Sequence, residues 1–245
     1  MSKRQPAMRG SRLLLACGLA PTMFAAVVLL EGVTRPGYNA LHRFSSELSL
    51  GEYGWIQITN FIVAGVLALC FAVGLRRALR TGRGSRATPI LTGVFGLSLI
   101  VAGIFVTDPK PGFPPGTGDT AGAATVHGTL HDFAGYVMVL AMCAAIFTLA
   151  TRFAREPGRR PWRWYSIGTG TTVLLSAVAM AVLAGRAAVN GDGGATYHGF
   201  AQRVTLVVGF VWFSAIALLL LRSGDRVPAP PLLGAQPEEQ VAGSG

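Results

Sequence analysis

The chain of 245 residues is 51% hydrophobic and only 13% charged, and its formal net charge is +10. Soluble globular domains carry roughly 25% charged residues because they need a solvated surface, so this composition argues against a soluble protein. The excess of arginine would suggest nucleic-acid binding in a soluble chain. No basic–aromatic platform or nucleic-acid-binding motif accompanies it, and we expect no nucleic-acid partner.

Six apolar stretches are long enough to cross a bilayer as helices, which takes about 20 residues each. The sequence therefore predicts an all-α, polytopic integral membrane protein with six transmembrane helices within residues 12–222, a basic cytoplasmic segment at 1–11 and a disordered cytoplasmic tail at 223–245. The first stretch is longer than the core of a secretory signal, and no convincing cleavage site follows it, so we expect it to be retained. In chain order the spans are predicted near 12–32, 55–76, 88–106, 129–151, 165–186 and 199–221.

The basic residues are concentrated in every second connection between these spans. If six helices alternate across the bilayer, sixteen of the 21 Lys and Arg residues fall on one side. Short connections rich in Lys and Arg stay in the cytoplasm, which predicts a plasma-membrane protein with both termini cytoplasmic. Membrane lipids are the expected partners, with anionic lipid headgroups of the cytoplasmic leaflet facing the basic residues.

The second, fourth and sixth spans begin with a similar motif. Each has a ring-bearing residue, then glycine, then a hydrogen-bonding side chain at the fourth position after the ring. The three motifs are Tyr53-Gly54 with Gln57, His127-Gly128 with His131, and His198-Gly199 with Gln202. The pattern is consistent with three tandem helical hairpins. Alternatively, glycine and aromatic residues simply favour the headgroup level of any membrane helix.

All four histidines lie in or beside the connections that carry few arginines. His127 and His131 are one helical turn apart, a spacing that suits two ligands of one metal ion. Together with His198 they form a predicted site for zinc or another divalent ion, where a bound water could be activated. Asp108, Asp132 and His42 are the predicted catalytic or supporting residues of that site. The alternative is that these side chains hydrogen-bond loop carbonyls and water.

Further polar residues on the same side are predicted to line a ligand pocket. Polar side chains in membrane spans usually join helices through hydrogen bonds, and a contact with a ligand is the alternative. The predicted pocket residues are Ser45, Ser46, Gln57, Asn60, Gln202 and Arg203.

Several motifs in this chain resemble those of a bacterial membrane family called domain of unknown function 998. They are the run from Arg35 to Gly51, Gly54-Trp55-Ile56-Gln57 leading to Asn60-Phe61, Phe105-Val106-Thr107-Asp108-Pro109, and His127-Gly128-Thr129-Leu130-His131-Asp132. The resemblance covers all six spans. It implies a six-span integral membrane protein and no established activity. The placement of His, Ser and Asp is also similar to that in membrane hydrolases such as alkaline ceramidases, although those have seven spans and a different motif order.

Two functions are compatible with these patterns. The first is a non-enzymatic protein that binds, senses or moves a lipid-like or small amphiphilic ligand under the polar connections. The second is a metal-dependent hydrolase acting on a lipid-like substrate at the outer leaflet. We favour the first, and whether the chain is an enzyme stays open. Few charges lie within the spans, so ion-coupled transport has little support in the sequence.

Overall fold

The part of the chain that the structure describes forms seven α-helices, which provide six segments long and apolar enough to cross a membrane. The computed structural model describes residues 4–118, 122–190 and 196–224, and these contain no β-strand. Asp119, Asp192 and most of the predicted tail (225–245) lie outside the described residues. The helices are α1 (Arg4–Ala16), α2 (Ala20–Thr34), α3 (Gly54–Ala78), α4 (Ala87–Ile104), α5 (Val126–Phe153), α6 (Arg160–Asn190) and α7 (His198–Gly224), with short 3-10 turns at Cys17–Leu19 and Ser45–Ser49.

Six segments of these helices are long and apolar enough to cross a membrane. They agree with the six predicted spans, and the all-α, polytopic membrane fold is confirmed. The largest difference is α6, which extends about one turn beyond the predicted stretch at each end. The segments are Gly10–Thr34, Gly54–Ala78, Ala87–Ile104, Val126–Phe153, Arg160–Val189 and His198–Ser223.

The first span is interrupted by the 3-10 turn between α1 and α2. Pro21 has no N–H to donate to the carbonyl of Cys17, so the helix cannot continue there with regular α-helical bonds. The N–H of Ala20 bonds that carbonyl instead, which tightens the turn. The hydroxyl of Ser214 on α7 also donates to the Gly18 carbonyl at 3.1 Å. The interruption is thus held against α7.

The spans pack in chain order, and α7 returns to the first span. α3 contacts the first span and α4, α5 lies between α4 and α6, and α7 contacts both α6 and α2. Aromatic rings fill the middle of this arrangement. Phe210 of α7 lies 5.5 Å from Phe24 and 5.2 Å from Phe95, measured between ring centroids. Such pairs each contribute about 0.5–1.5 kcal/mol beyond area burial, so they help to fix α7 against α2 and α4.

α6 lies at the edge of the bundle. Only 11% of its most apolar window is buried within the protein, compared with 39–50% in the other five segments. Its two polar links to α7 are both in its first half. Trp212 donates to the Ser166 hydroxyl at 3.0 Å, and the hydroxyls of Ser176 and Thr205 are 2.8 Å apart. Within the described part of its second half, residues 177–189, no side-chain hydrogen bond to another helix is found.

The bundle has two chemically different ends. We call one the histidine end; it is formed by residues 35–53, the described parts of 105–125, and 196–198. The other, the arginine end, is formed by residues 79–86, 154–159 and the last turn of α7. Contacts hold the connections of each end together. His42 bonds the carbonyl of Thr196 at the histidine end, and Arg152 bonds that of Thr81 at the arginine end.

Candidate functional site

A buried arginine holds the first connection of the histidine end on α7. Arg203 is 7% exposed, and its guanidinium donates to the Tyr38 hydroxyl and to the carbonyls of Arg43 (3.0 Å) and Gly199 (2.9 Å). Burial raises the pKa of Tyr38 to about 12 despite the neighbouring Arg203 charge. The phenol therefore stays protonated, and it donates to the carbonyl of Phe44 at 2.9 Å. Arg203, predicted as a pocket residue, positions a loop instead.

The same connection contains a buried ion pair. Arg43 donates to the Glu47 carboxylate at 2.9 Å and to the carbonyl of Pro111 in the second connection, also at 2.9 Å. Glu47 is 2% exposed, and it also accepts the backbone N–H of Phe44 at 2.9 Å. Burial raises the pKa of Glu47, an effect opposed by the hydrogen bond from Arg43. These bonds join the first two connections into one cap over the helix ends.

The repeated glycines at the helix starts share a physical cause. A side chain at Gly54, Gly128 or Gly199 would overlap an oxygen atom from one of the first two connections of the histidine end. The oxygens belong to the Ser49 carbonyl, the Asp108 carboxylate and the Arg43 carbonyl, respectively. The start of a helix carries partial positive charge, which favours such oxygens close by. At each motif, therefore, a connection lies in direct contact with the start of a helix, and the glycine leaves room for it. The three-hairpin repeat itself stays a prediction.

Asp108, a predicted catalytic residue, forms such a contact with the start of α5. Its carboxylate accepts the Thr125 hydroxyl at 2.6 Å and the Thr125 N–H at 2.9 Å, and both bonds lower the pKa of Asp108. Thr125 in turn accepts the N–H of Gly128 at 3.0 Å as the N-cap of α5. The carboxylate thus supports a helix cap, a role that the sequence had not indicated.

The four histidines form two groups: His127 and His131 lie near Phe105, whereas His42 and His198 both contact Thr196. His131 is buried, and its Nδ1 lies 2.9 and 2.8 Å from the carbonyls of Ala102 and Phe105. Because carbonyls only accept, this nitrogen donates and caps the end of α4. His127 is exposed and packs on the Phe105 ring. The Nδ1 atoms of His42 and His198 contact the Thr196 carbonyl and hydroxyl at 3.0 and 2.8 Å.

The predicted metal site is consequently not assembled. Over residues 4–118, 122–190 and 196–224, no group of three or more His, Cys, Asp or Glu side chains is placed to hold one ion. The HxxxH spacing does put His127 and His131 on one helix, but one faces the end of α4 and the other lies exposed on Phe105. His198 packs elsewhere, against the Phe44 ring. The described side chains therefore offer no coordination set for zinc.

Asn60, one of the predicted pocket residues, joins α3 to α2, and Gln57, another of them, accepts a hydrogen bond from Asn60 on the same helix. Asn60 donates to the Gln57 side-chain oxygen at 3.1 Å and to the carbonyl of Phe24 on α2 at 3.2 Å. Gln57 is fully buried, and its side-chain nitrogen has no hydrogen-bond partner among the described residues. This contact is the helix-joining alternative that the sequence left open.

A cavity of about 170 Å³ lies beneath the cap, between α5, α6 and α7. Its rim is polar and includes Ser45, Ser46 and Gln202, all predicted pocket residues. Gln202 accepts the N–H of Ser45 at 2.7 Å, which fixes the first connection against α7 at this rim. The interior is mostly apolar, although buried Ser98 and Thr205 also belong to its lining, and it extends to the centre of the bundle. The apolar lining side chains include Phe24, Phe61, Met138, Val139, Met180 and Leu206.

The mouth of the cavity lies on the α5–α6 side. Tyr136 lines the cavity and is 61% exposed, and Asp132, one turn earlier on α5, is also exposed. Met180 and Ala184 contribute the facing wall from the second half of α6. His131 also lines the cavity, whereas Gln57, Asn60 and Arg203 do not appear in its described lining. Neither Lys110 at the rim nor the apolar side chains of the interior were predicted from the sequence to belong to the site. Apolar residues that face a cavity look in sequence like those that face lipid.

Comparison with known proteins agrees with this architecture. The model of a family described as "Protein of unknown function (DUF998)" matches residues 19–219, which include almost all of the six spans. No curated protein and no solved structure shows significant similarity to the chain. The matched region contains the buried cap, the three glycine contacts and the cavity. The resemblance found in the sequence motifs is confirmed, and the chain belongs to the DUF998 family of membrane proteins.

Proposed function

We propose that this protein binds a small amphiphile in the cavity beneath its histidine end. The observation that supports the proposal is the division of the cavity into a polar rim and an apolar interior, with exposed Tyr136 at its mouth. An amphiphile likewise consists of a polar head group and an apolar chain. Pockets for drug-sized ligands enclose roughly 300–1,000 Å³. A cavity of about 170 Å³ therefore suits a small amphiphile or one chain of a larger lipid.

The contacts around the cavity also fit a binding protein better than the hydrolase predicted as the alternative. Asp108 and His42 are engaged in holding a helix start and a connection, and the histidines are not gathered around one point. No observation in the described residues favours the hydrolase. Binding is the step that sensing, moving and retaining a ligand have in common.

The orientation is part of this proposal. The arginine end would face the cytoplasm, where short basic connections are retained, and both termini would lie on that side of the plasma membrane. Anionic lipid headgroups, rather than nucleic acid, would then neutralise its arginines. Labelling of single cysteines with a membrane-impermeant maleimide tests this. Ser46→Cys should react in intact cells, and Ser85→Cys should react only after permeabilisation; the reverse pattern would overturn the orientation.

Photo-crosslinking tests the binding site directly. A single-chain phospholipid with a diazirine in its chain should label residues of the cavity interior, such as Met138 and Met180, in protein held in nanodiscs. Two substitutions should abolish this labelling by filling the cavity, Gly135→Leu on α5 and Ala184→Phe on α6. Gly135 lines the cavity, and a Cβ there meets no atom within 4 Å, so the added side chain starts in open space.

A matched control is available on α6. Gly168 also has open space at its Cβ position, but it lies in the half of α6 that the cavity does not reach. Gly168→Leu should leave the labelling unchanged. Equal labelling in all variants, or labelling spread along the lipid-facing side of α6, would show ordinary contact with surrounding lipid and would refute the proposed function.

A further inference from the structure

Asp132 is a carboxylate placed among lipid-facing apolar side chains. It is exposed, and its neighbours Phe133 and Tyr136 are 65% and 61% exposed. α5 has 28 residues and is therefore about 42 Å long, whereas the hydrocarbon core of a bilayer is about 30 Å thick. Asp132 is the seventh residue of α5 and lies about 9 Å along it, close to the edge of the hydrocarbon when the helix is centred.

A carboxylate at this depth requires a positively charged partner. Ionisable residues at membrane depth are costly and usually pair with an opposite charge or mark a functional site. Among the described residues Asp132 forms no ion pair within 4 Å and no side-chain hydrogen bond. It does line the cavity. The positive partner is therefore to be sought in the ligand.

A second, opposite charge lies at the same cavity. Lys110, from the second connection, is partly exposed and lines the rim together with Ser45 and Ser46. Its ammonium group makes no ion pair within 4 Å in the described residues, although it is near enough to Asp108 and Glu47 to lower the pKa of both. The cavity therefore presents one cation, one anion and hydroxyl groups above an apolar interior.

We infer that the ligand is an amphiphile with a zwitterionic head group, whose ammonium binds Asp132 and whose phosphate binds Lys110, with its chain in the cavity. This inference rests on the proposed function. A phosphate accepts charge-assisted hydrogen bonds from an ammonium group and from hydroxyls such as those of Ser45 and Ser46. The Asp132 carboxylate attracts an ammonium group and repels an anion, so it disfavours a head group that carries only negative charge.

Binding of four defined probes to detergent-solubilised protein tests the inference. They are a lysophospholipid with an ethanolamine head, one with a glycerol head, an alkylamine of the same chain length, and phosphoethanolamine without a chain. We expect the ethanolamine lysophospholipid to bind tightest. Asp132→Asn should weaken this lipid and the alkylamine about tenfold, since one charge-assisted contact accounts for about that factor. It should not weaken the glycerol lipid, whose binding should improve because the carboxylate no longer repels its anionic head. Lys110→Gln should weaken both lysophospholipids and not the alkylamine.

The controls separate this inference from the proposed function. Glu52→Gln removes an exposed carboxylate of the histidine end that does not line the cavity, and it should leave every affinity unchanged. If Asp132→Asn leaves the ethanolamine lipid within twofold, or if the glycerol lipid binds equally well, the zwitterionic head is refuted. If Gly135→Leu still blocks binding in that case, the result supports the proposed function, although the zwitterionic head group is refuted. Binding of phosphoethanolamine as tightly as the lipid would contradict both, because the chain would contribute nothing.

Discussion

An arginine holds a connection at each end of the bundle, but the two arginines have different surroundings. At the histidine end, Arg203 is 7% exposed and is surrounded by carbonyl oxygens and the Tyr38 phenol. At the arginine end, Arg152 donates to the carbonyls of Thr81 and Arg83, and its ion pair with Glu156 is partly exposed. Both arginines donate to backbone carbonyls, but Arg203 is the more buried, so we expect its contacts to contribute more to stability than those of Arg152.

This difference indicates separate roles for the two ends. The histidine end is a packed cap in which two connections and the start of α7 share buried hydrogen bonds. The arginine end has short turns whose charges stay near water, where an ion pair contributes at most about 1 kcal/mol. Its arginines are therefore suited to set orientation and contact lipid headgroups. The histidine end, in contrast, depends on its side chains being held in one packed arrangement.

The largest expected effect comes from removing the buried arginine. Arg203→Met should lower the free energy of unfolding by about 3 kcal/mol, because it leaves the Arg43 carbonyl and the Tyr38 hydroxyl without their donor. Arg152→Met is the matched change at the other end and should cost at most about 1 kcal/mol. Thermal unfolding followed by tryptophan fluorescence measures both. Equal losses would show that burial does not distinguish the two ends.

A second comparison lies within the histidine end. His131→Ala should destabilise by about 2 kcal/mol, because the Ala102 and Phe105 carbonyls lose their buried donor. His127→Ala, at an exposed position, should change stability by less than about 0.5 kcal/mol. Two ligands of one zinc ion would behave alike, and both variants would lose the metal. A stoichiometric zinc that disappears in each variant, measured by elemental analysis, would restore the metal site.

The smallest expected effect depends on pH. The pKa of Asp108 is lower in the folded protein because Thr125 donates two hydrogen bonds to it. Its contribution to stability is therefore present above its unfolded pKa of about 3.9 and is lost as pH falls through the folded value. Asp108→Asn should lower the melting temperature by about 2–4 °C at neutral pH, corresponding to about 1 kcal/mol.

The pH scan also provides the control for this prediction. The difference between Asp108→Asn and the unsubstituted protein should vanish as pH falls below the pKa of the folded carboxyl, since both side chains are then uncharged. Glu52→Gln, which changes an exposed acid of the same end, should show no difference at any pH. A difference for Asp108→Asn that persists in acid would mean that the Asp108 charge is not responsible.

The spans could be predicted because apolar length is a property of the sequence alone. The predicted stretch 55–76 differs from α3 by one residue at its start and two at its end. α6 was predicted too short because its first turns contain Arg160, Arg163 and two tryptophans, which lower local hydropathy without ending the helix.

The candidate site was predictable only in part. Ser45, Ser46 and Gln202 line the cavity, because polar residues at one level of a bundle are brought together by the helices, and their contact with a ligand stays a prediction. The described residues do not assemble the predicted metal site, because a spacing of four residues fixes the face of a helix but not what lies opposite. The last carbonyls of α4 lie opposite His131. The role of Arg203 was missed for the same reason, since two of its acceptors, the Arg43 carbonyl and the Tyr38 hydroxyl, lie 160 and 165 positions away in the chain.

Little of α6 is buried within the protein, so the surrounding bilayer can influence the cavity that α6 helps to line. α6 has 31 residues, about 46 Å, whereas α4 has 18, about 27 Å, so the two cannot match one hydrocarbon thickness without tilting or deforming the bilayer. Because only 11% of its most apolar window is buried within the protein, we expect the tilt of α6 to respond to membrane thickness. Because Met180 and Ala184 form one wall of the cavity, a thinner or thicker membrane changes the width of its side opening.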